Sequence, residues 1–168
     1  MLSFDRSSLE TKAVRVDGKL AQDDPLWLDE DARPVGGAIV SGRLSSAGEG
    51  RFYFSGRMEG EVEAVCRRCL EPVRAAVNEE LHLLFADGLD EEADESDVYV
   101  LEPRATTVDL RPALREQWLL AVPGFALCRE DCKGLCPRCG ADLNDGPCGC
   151  APEIDVRWEA LRRPAGDD

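Results

Sequence analysis

The chain has 168 residues, 43% of them hydrophobic, which suffices for one packed domain with a small appended module and not for two independent cores. Lys and Arg total 20 against 34 Asp and Glu, a formal net charge of -14, so bare phosphate backbone repels the chain at long range and any nucleic-acid contact must be local or made through a protein partner. No apolar run approaches the roughly 18 residues needed to cross a bilayer, and the start carries no signal-peptide stretch, which predicts a cytoplasmic protein without membrane contact.

The first 35 residues mix polar and charged side chains, with Ala13 to Val16 as the only obvious strand and Asp23 to Leu28 as an exposed turn followed by an apolar anchor. From Gly37 to Leu44 a strand is expected, then turn chemistry from Ser45 to Gly50, then strands over Arg51–Gly56 and Glu61–Cys66, the last alternating with period two. Glycines are read here as turn punctuation, so these neighbours imply an antiparallel meander. Val73 to Phe85 returns as a further strand, because Val73, Ala75, Val77, Glu79, Leu81, Leu83 and Phe85 share one face, with a helix as the alternative. Asp87 to Asp97, with seven acidic residues and no basic one, is expected to be a solvated loop. Val98–Leu101 and Thr107–Leu110 should be short strands that close the sheet. Pro112 suits a first helical turn, and Leu110, Leu114, Trp118 and Ala121/Val122 recur at helical spacing, which predicts a helix over about 111–122 ended by Pro123-Gly124. The fold class is therefore α+β: a mainly antiparallel sheet over residues 1–124 with one helix in the C-terminal half, and a cysteine-rich module with its tail over 125–168.

Eight cysteines carry the chemistry. They stand as Cys66-Arg67-Arg68-Cys69, then Cys128, Cys132 and Cys136-Pro137-Arg138-Cys139-Gly140, then Cys148-Gly149-Cys150. In a reducing compartment closely paired thiols bind metal rather than form disulfides. A C-x₂-C turn presents two sulfurs to one tetrahedral ion, with Zn–S bonds of about 2.3 Å. Pro137 fixes φ at the start of its turn, and Gly140 allows the left-handed backbone usual after the second ligand. Two Zn²⁺ ions are expected. Either Cys66, Cys69, Cys128 and Cys132 share one ion and Cys136, Cys139, Cys148 and Cys150 the other, which is the preferred grouping, or Cys128, Cys132, Cys136 and Cys139 form one set and Cys66, Cys69, Cys148 and Cys150 the other. Four-sulfur sites close the coordination sphere, so the ions read as structural and the chain as no enzyme. The single histidine, His82, has no obvious partner, and no nucleophile elbow or phosphate-cradling glycine loop is present.

The run from Cys128 to Asn144, followed by Gly146-Pro147-Cys148-Gly149-Cys150 and Ile154 to Leu161, resembles the C-terminal signature of the YceD-like family, and Cys66-Arg67-Arg68-Cys69-Leu70-Glu71-Pro72-Val73 resembles its other hallmark. The resemblance spans about residues 36 to 163. It implies a role in synthesis or accumulation of large-subunit ribosomal RNA, with that RNA or a ribosomal protein as partner and no small-molecule substrate. If the two metal sites are close in space, Arg67, Arg68 and Arg138 form a basic rim on an acidic body, with Arg157, Arg162 and Arg163 as a basic tail beside Trp158. The competing reading is a redox-responsive zinc-thiol switch or chaperone.

Overall fold

The computed structural model describes residues 1–48, 50–87, 98–102 and 105–150. Residues 88–97 of the expected acidic loop, and Arg157, Trp158, Arg162 and Arg163 of the tail, lie outside the described residues. The chain runs β1 (Ser3–Asp5), α1 (Arg6–Thr11), β2 (Val14–Leu20), β3 (Ala38–Gly48), β4 (Arg51–Val65), β5 (Pro72–Asp87), β6 (Val98–Leu101), β7 (Thr107–Asp109) and α2 (Arg111–Ala121). Five strands form one sheet in the order β2-β3-β4-β5-β6, antiparallel except that β6 runs parallel to β5.

Two expectations are corrected here. Arg51–Gly56 and Glu61–Cys66 are not separate strands but parts of the single 15-residue β4. The glycines between them are not turns. Gly42 and Gly56 face each other across β3 and β4, and a Cβ on Gly56 would overlap the Ser41 carbonyl oxygen, so glycine is needed there for close backbone approach. A Cβ on Gly60 would press at 3.0 Å on the ring of Trp118. The second correction concerns closure. β6 does extend the sheet, but β7 pairs instead with β1 in a separate two-stranded ribbon, through Ser3↔Asp109 and Phe4↔Val108. The short helix α1, capped by the Asp5 carboxylate accepting from the Ser8 N–H, carried too weak a periodicity to be read from sequence.

One face of the sheet is buried and the other is open. Val16, Leu20, Val40, Leu44, Phe52, Phe54, Met58, Val62, Val77, Leu81, Leu83 and Phe85 line the buried face, and Leu9 of α1 and Leu114 and Trp118 of α2 join the same core. Burial of these side chains is the main stabilising term, about 1.5–3 kcal/mol each before conformational entropy is subtracted. Residues 21–35 strap over α2: Trp118 donates its Nε1–H to the Ala32 carbonyl at 2.7 Å, and Arg115 holds Asp31 through two bonds of 2.7 and 2.9 Å. Trp27 of the strap is itself buried, its Nε1–H donated to the Ala21 carbonyl at 2.7 Å. Asp87, expected to begin the mobile loop, instead ends β5 and pairs with Arg6 at 3.1 Å.

Two outcomes test this account. Gly56→Ala should cost about 2 kcal/mol or more, because backbone rather than a movable side chain blocks the added methyl; a denaturant midpoint within a few tenths of wild type would contradict it. The guanidinium of Arg115 holds the Asp31 carboxyl below its ordinary 3.8. A depressed carboxylate contributes stability that is present above the unfolded value and lost as pH falls through the folded one. Acid titration of stability beneath about pH 4 should therefore be shallower in Asp31→Asn than in wild type.

Candidate metal centre at two cysteine clusters

The β4–β5 pair runs beyond β3 as a long two-stranded ribbon, in register from Arg51↔Ala86 to Val65↔Pro72, and its tip is the first C-x₂-C turn. There the Cys66 N–H donates to the Glu71 carbonyl at 2.8 Å and the Leu70 N–H to the Cys66 carbonyl at 2.9 Å. The second turn repeats both bonds: Cys136 N–H to Ala141 at 2.8 Å and Gly140 N–H to Cys136 at 2.9 Å. Backbone angles agree as well, with φ of 63° at Leu70 and 71° at Gly140. Two unrelated stretches of chain thus build one knuckle geometry. The first does so with a leucine where the second has glycine, and Leu70 is the single non-glycine residue with positive φ among the described residues.

The sulfurs gather in two groups of four, Cys66, Cys69, Cys128 and Cys132, and Cys136, Cys139, Cys148 and Cys150, with the ligand atoms of each group within 4.8 Å of one another. This is the first of the two groupings weighed from the sequence; Cys128 and Cys132 do not join Cys136 and Cys139. Cys66 and Cys132 sulfurs are 3.8 Å apart, and Cys69 and Cys128 sulfurs 3.6 Å. A tetrahedron with metal–sulfur bonds of about 2.3 Å has edges of about 3.8 Å, so these separations suit four ligands around one ion and are far beyond a disulfide bond. Each cluster can hold a metal ion.

Electrostatics point the same way. Backbone N–H groups, those of Cys69 and then Cys128, hold Cys66 down at about 6, and those of Cys139 and Arg138 do the same for Cys136. Desolvation and the neighbouring sulfurs push Cys128 up to about 12, and the Cys139 sulfur followed by desolvation pushes Cys150 up to about 12. Each cluster accepts its first negative charge readily and resists its last. A divalent cation at the centre reverses that resistance, since each thiolate then gains an opposite charge in place of a like one.

The segment carrying Cys128 and Cys132 is tied down by the knuckle it meets. Arg67 N–H donates to Ala126 at 2.9 Å, Leu135 N–H to Arg68 at 3.0 Å, and Arg68 Nη1 to the Glu130 and Cys132 carbonyls at 3.1 and 2.8 Å. Arg68 therefore helps to hold the site together while the residue remains exposed. Arg67 is exposed and lies over the ring of Phe125, 5.1 Å from its centroid, while Phe125 itself is 80% exposed; Arg138 is also exposed. Asn144, in the chain between Cys139 and Cys148, accepts from Lys133 N–H at 2.8 Å and places Nδ2 3.5 Å from the Cys132 sulfur. Its position between two cysteine pairs gave only a weak sequence signal, and Phe125 gave none. Replacing Leu70 by Gly should remove the left-handed penalty and stabilise the protein by about 1 kcal/mol in thermal melts; destabilisation would mean that the exposed leucine packs more than it strains.

Residues 54–163 match the family described as "Large ribosomal RNA subunit accumulation protein YceD". Uncharacterized proteins of Mycobacterium bovis and Mycobacterium tuberculosis are 34% identical over 129 residues, 75% of this chain and 61% of their own length. A chloroplastic protein of Arabidopsis thaliana described as large ribosomal RNA subunit accumulation protein YCED homolog 1 is 35% identical over 51 residues, 30% of this chain and 16% of that one. No solved structure is significantly similar. The family match takes in most of the ribbon, the knuckle at its tip, α2 and all eight cysteines, and by it the chain belongs to the YceD family.

Proposed function

We propose that this protein is a zinc-stabilised, non-enzymatic factor of the cytoplasm that supports accumulation of large-subunit ribosomal RNA by binding that RNA or a ribosomal protein. The observation that carries the reading is the meeting of two knuckles of one geometry at the end of a long ribbon, in a chain whose family is described by large-subunit RNA accumulation. Zn²⁺ is the ion that four cysteine thiolates at tetrahedral spacing suit best, and a site closed by four sulfurs leaves no open position for substrate. The ion would supply folding energy and neutralise thiolate charge. The contact face is the junction of the knuckles, where Arg67 and Arg138 are exposed and Phe125 adds an apolar surface. Arg157, Arg162 and Arg163, outside the described residues, are further proposed contacts with the RNA or the protein partner.

Metal analysis of protein purified from cells should find close to two Zn²⁺ per chain; a value near one would remove one cluster from this reading, and near zero would end it. Cys136→Ser with Cys139→Ser should disorder mainly the cysteine-rich segment, since it has too little apolar core to fold without its ion. Hydrogen exchange reads this directly, and loss of protection throughout β3 to β5 would refute it. Arg67→Gln with Arg138→Gln should keep fold and zinc yet lower large-subunit RNA accumulation, whereas Arg68→Gln should cost about 1.5–3 kcal/mol through its lost bonds to backbone carbonyls. A zinc-replete Arg67→Gln, Arg138→Gln protein that fully supports accumulation would overturn the face.

A further inference from the structure

The open face of the sheet carries an arrangement that the fold does not need. Cross-strand register puts Arg15, Arg43, Ser55 and His82 in one row across four strands, through Arg15↔Arg43, Arg43↔Ser55 and Ser55↔His82. Two arginines directly opposite each other repel, and on a sheet surface such pairs are destabilising. Little offsets that here. Arg15 reaches only Asp17 at 4.0 Å with both side chains well exposed, and Arg43 makes no ion pair among the described residues.

Beside the row lies Tyr53, two residues from Ser55 on the same face. Its hydroxyl is 2.8 Å from His82 Nδ1, the ring centroids are 6.2 Å apart and the ring planes differ by 15°. A centroid separation that large, with the hydroxyl bonded to the ring nitrogen, means that the rings lie edge to edge in nearly one plane and not face over face. Together they make a flat plate about two rings wide, with both residues exposed to solvent. Acidic side chains of this face, Asp17, Glu59, Glu61, Glu63 and Glu80, stand on the knuckle side of the arginine row, with Glu80 3.9 Å from His82 Nε2. Away from the knuckle, from the row to the end of the sheet, the described residues of this face are free of acid and include Tyr53 and Arg51.

We propose that this open face binds single-stranded RNA, one base stacking on the Tyr53–His82 plate and a phosphate bridging the guanidinium groups of Arg15 and Arg43. The assignment rests on the ribosomal reading for the kind of RNA encountered, but its chemistry is separate from the knuckles. A bound phosphate turns the repulsive arginine pair into a two-sided clamp, and aromatic planes on an open sheet are a sequence-tolerant platform for unpaired bases. The overall charge of -14 restricts the contact to this patch and makes affinity depend on a few phosphates.

The test uses the full-length, zinc-loaded chain and a fluorescent single-stranded 12-nucleotide RNA of mixed sequence, with anisotropy measured over a range of salt. Tyr53→Thr with His82→Thr should weaken binding about tenfold or more, with the salt slope unchanged. Tyr53→Phe keeps the ring and should stay within about threefold of wild type. Arg15→Gln with Arg43→Gln should lower the salt slope by about 1.4, two contacts at roughly 0.7 each. All four positions are exposed, and zinc content with circular dichroism verifies folding of each variant. Ultraviolet crosslinking should join RNA to Tyr53. Wild-type affinity in both double variants, equal binding of duplex RNA, or crosslinks from this face to a protein instead of RNA would overturn the assignment. If only Arg67→Gln with Arg138→Gln loses RNA, the open face is refuted while the ribosomal reading stands.

Discussion

Four sulfurs meeting at one point is the constraint on which the rest of the structure depends. Cys66 and Cys132 are 66 positions apart in the chain, yet their sulfurs are 3.8 Å apart and buried together with Cys69. Closing a loop of that length costs conformational entropy that rises only slowly with its size, so β5, β6, β7 and α2 can be inserted between the two halves of the cluster at little further cost. What the closure demands is direction. The ribbon has to carry its tip well past β3, and Arg68 has to hold the incoming segment by its carbonyls so that Cys128 and Cys132 arrive beside Cys66 and Cys69.

That demand explains features which look wasteful in isolation. β4 and β5, of 15 and 16 residues, outrun β3 and β6, of 11 and 4, and Gly42 of β3 and Gly56 and Gly60 of β4 weaken their strands locally while allowing the close backbone approach and the seat of Trp118. Leu70 adopts a left-handed backbone because the knuckle requires it, whatever residue is present. The ribbon thus works as a lever arm: its base is buried in the core against α2, and its tip presents the cysteine clusters away from that core.

A sheet covered on one side only leaves its other face to solvent, and the covering elements are short. α1, α2 and the 21–35 strap reach the buried side, where Trp27 and Trp118 donate their indole N–H groups to strap carbonyls. The open side is polar for the simple reason that alternation along each strand puts every second residue there. Polarity alone does not account for a row of arginines aligned with a coplanar Tyr53–His82 pair, and this is the part of the surface whose arrangement exceeds what solubility requires.

Much of the site was legible in the chain itself. Cysteine spacing, Pro137 and Gly140 mark two knuckles because tetrahedral sulfur ligation needs two ligands from a tight turn, a local property that sequence records. Alternation gave β3 and β5 for the same reason: burial on one face imposes period two. Sequence could not assign β7 to β1, since pairing between residues 3–5 and 107–109 depends on what the intervening chain does. Nor could it distinguish glycines at turns from glycines at close approaches, because both use the same missing Cβ. The sharing of sulfurs between distant pairs, the bonds from Arg68 to backbone carbonyls, and the meeting of Tyr53 with His82 were decided only by tertiary structure. Each depends on distances set by cross-strand register and ribbon length, quantities that no local pattern contains.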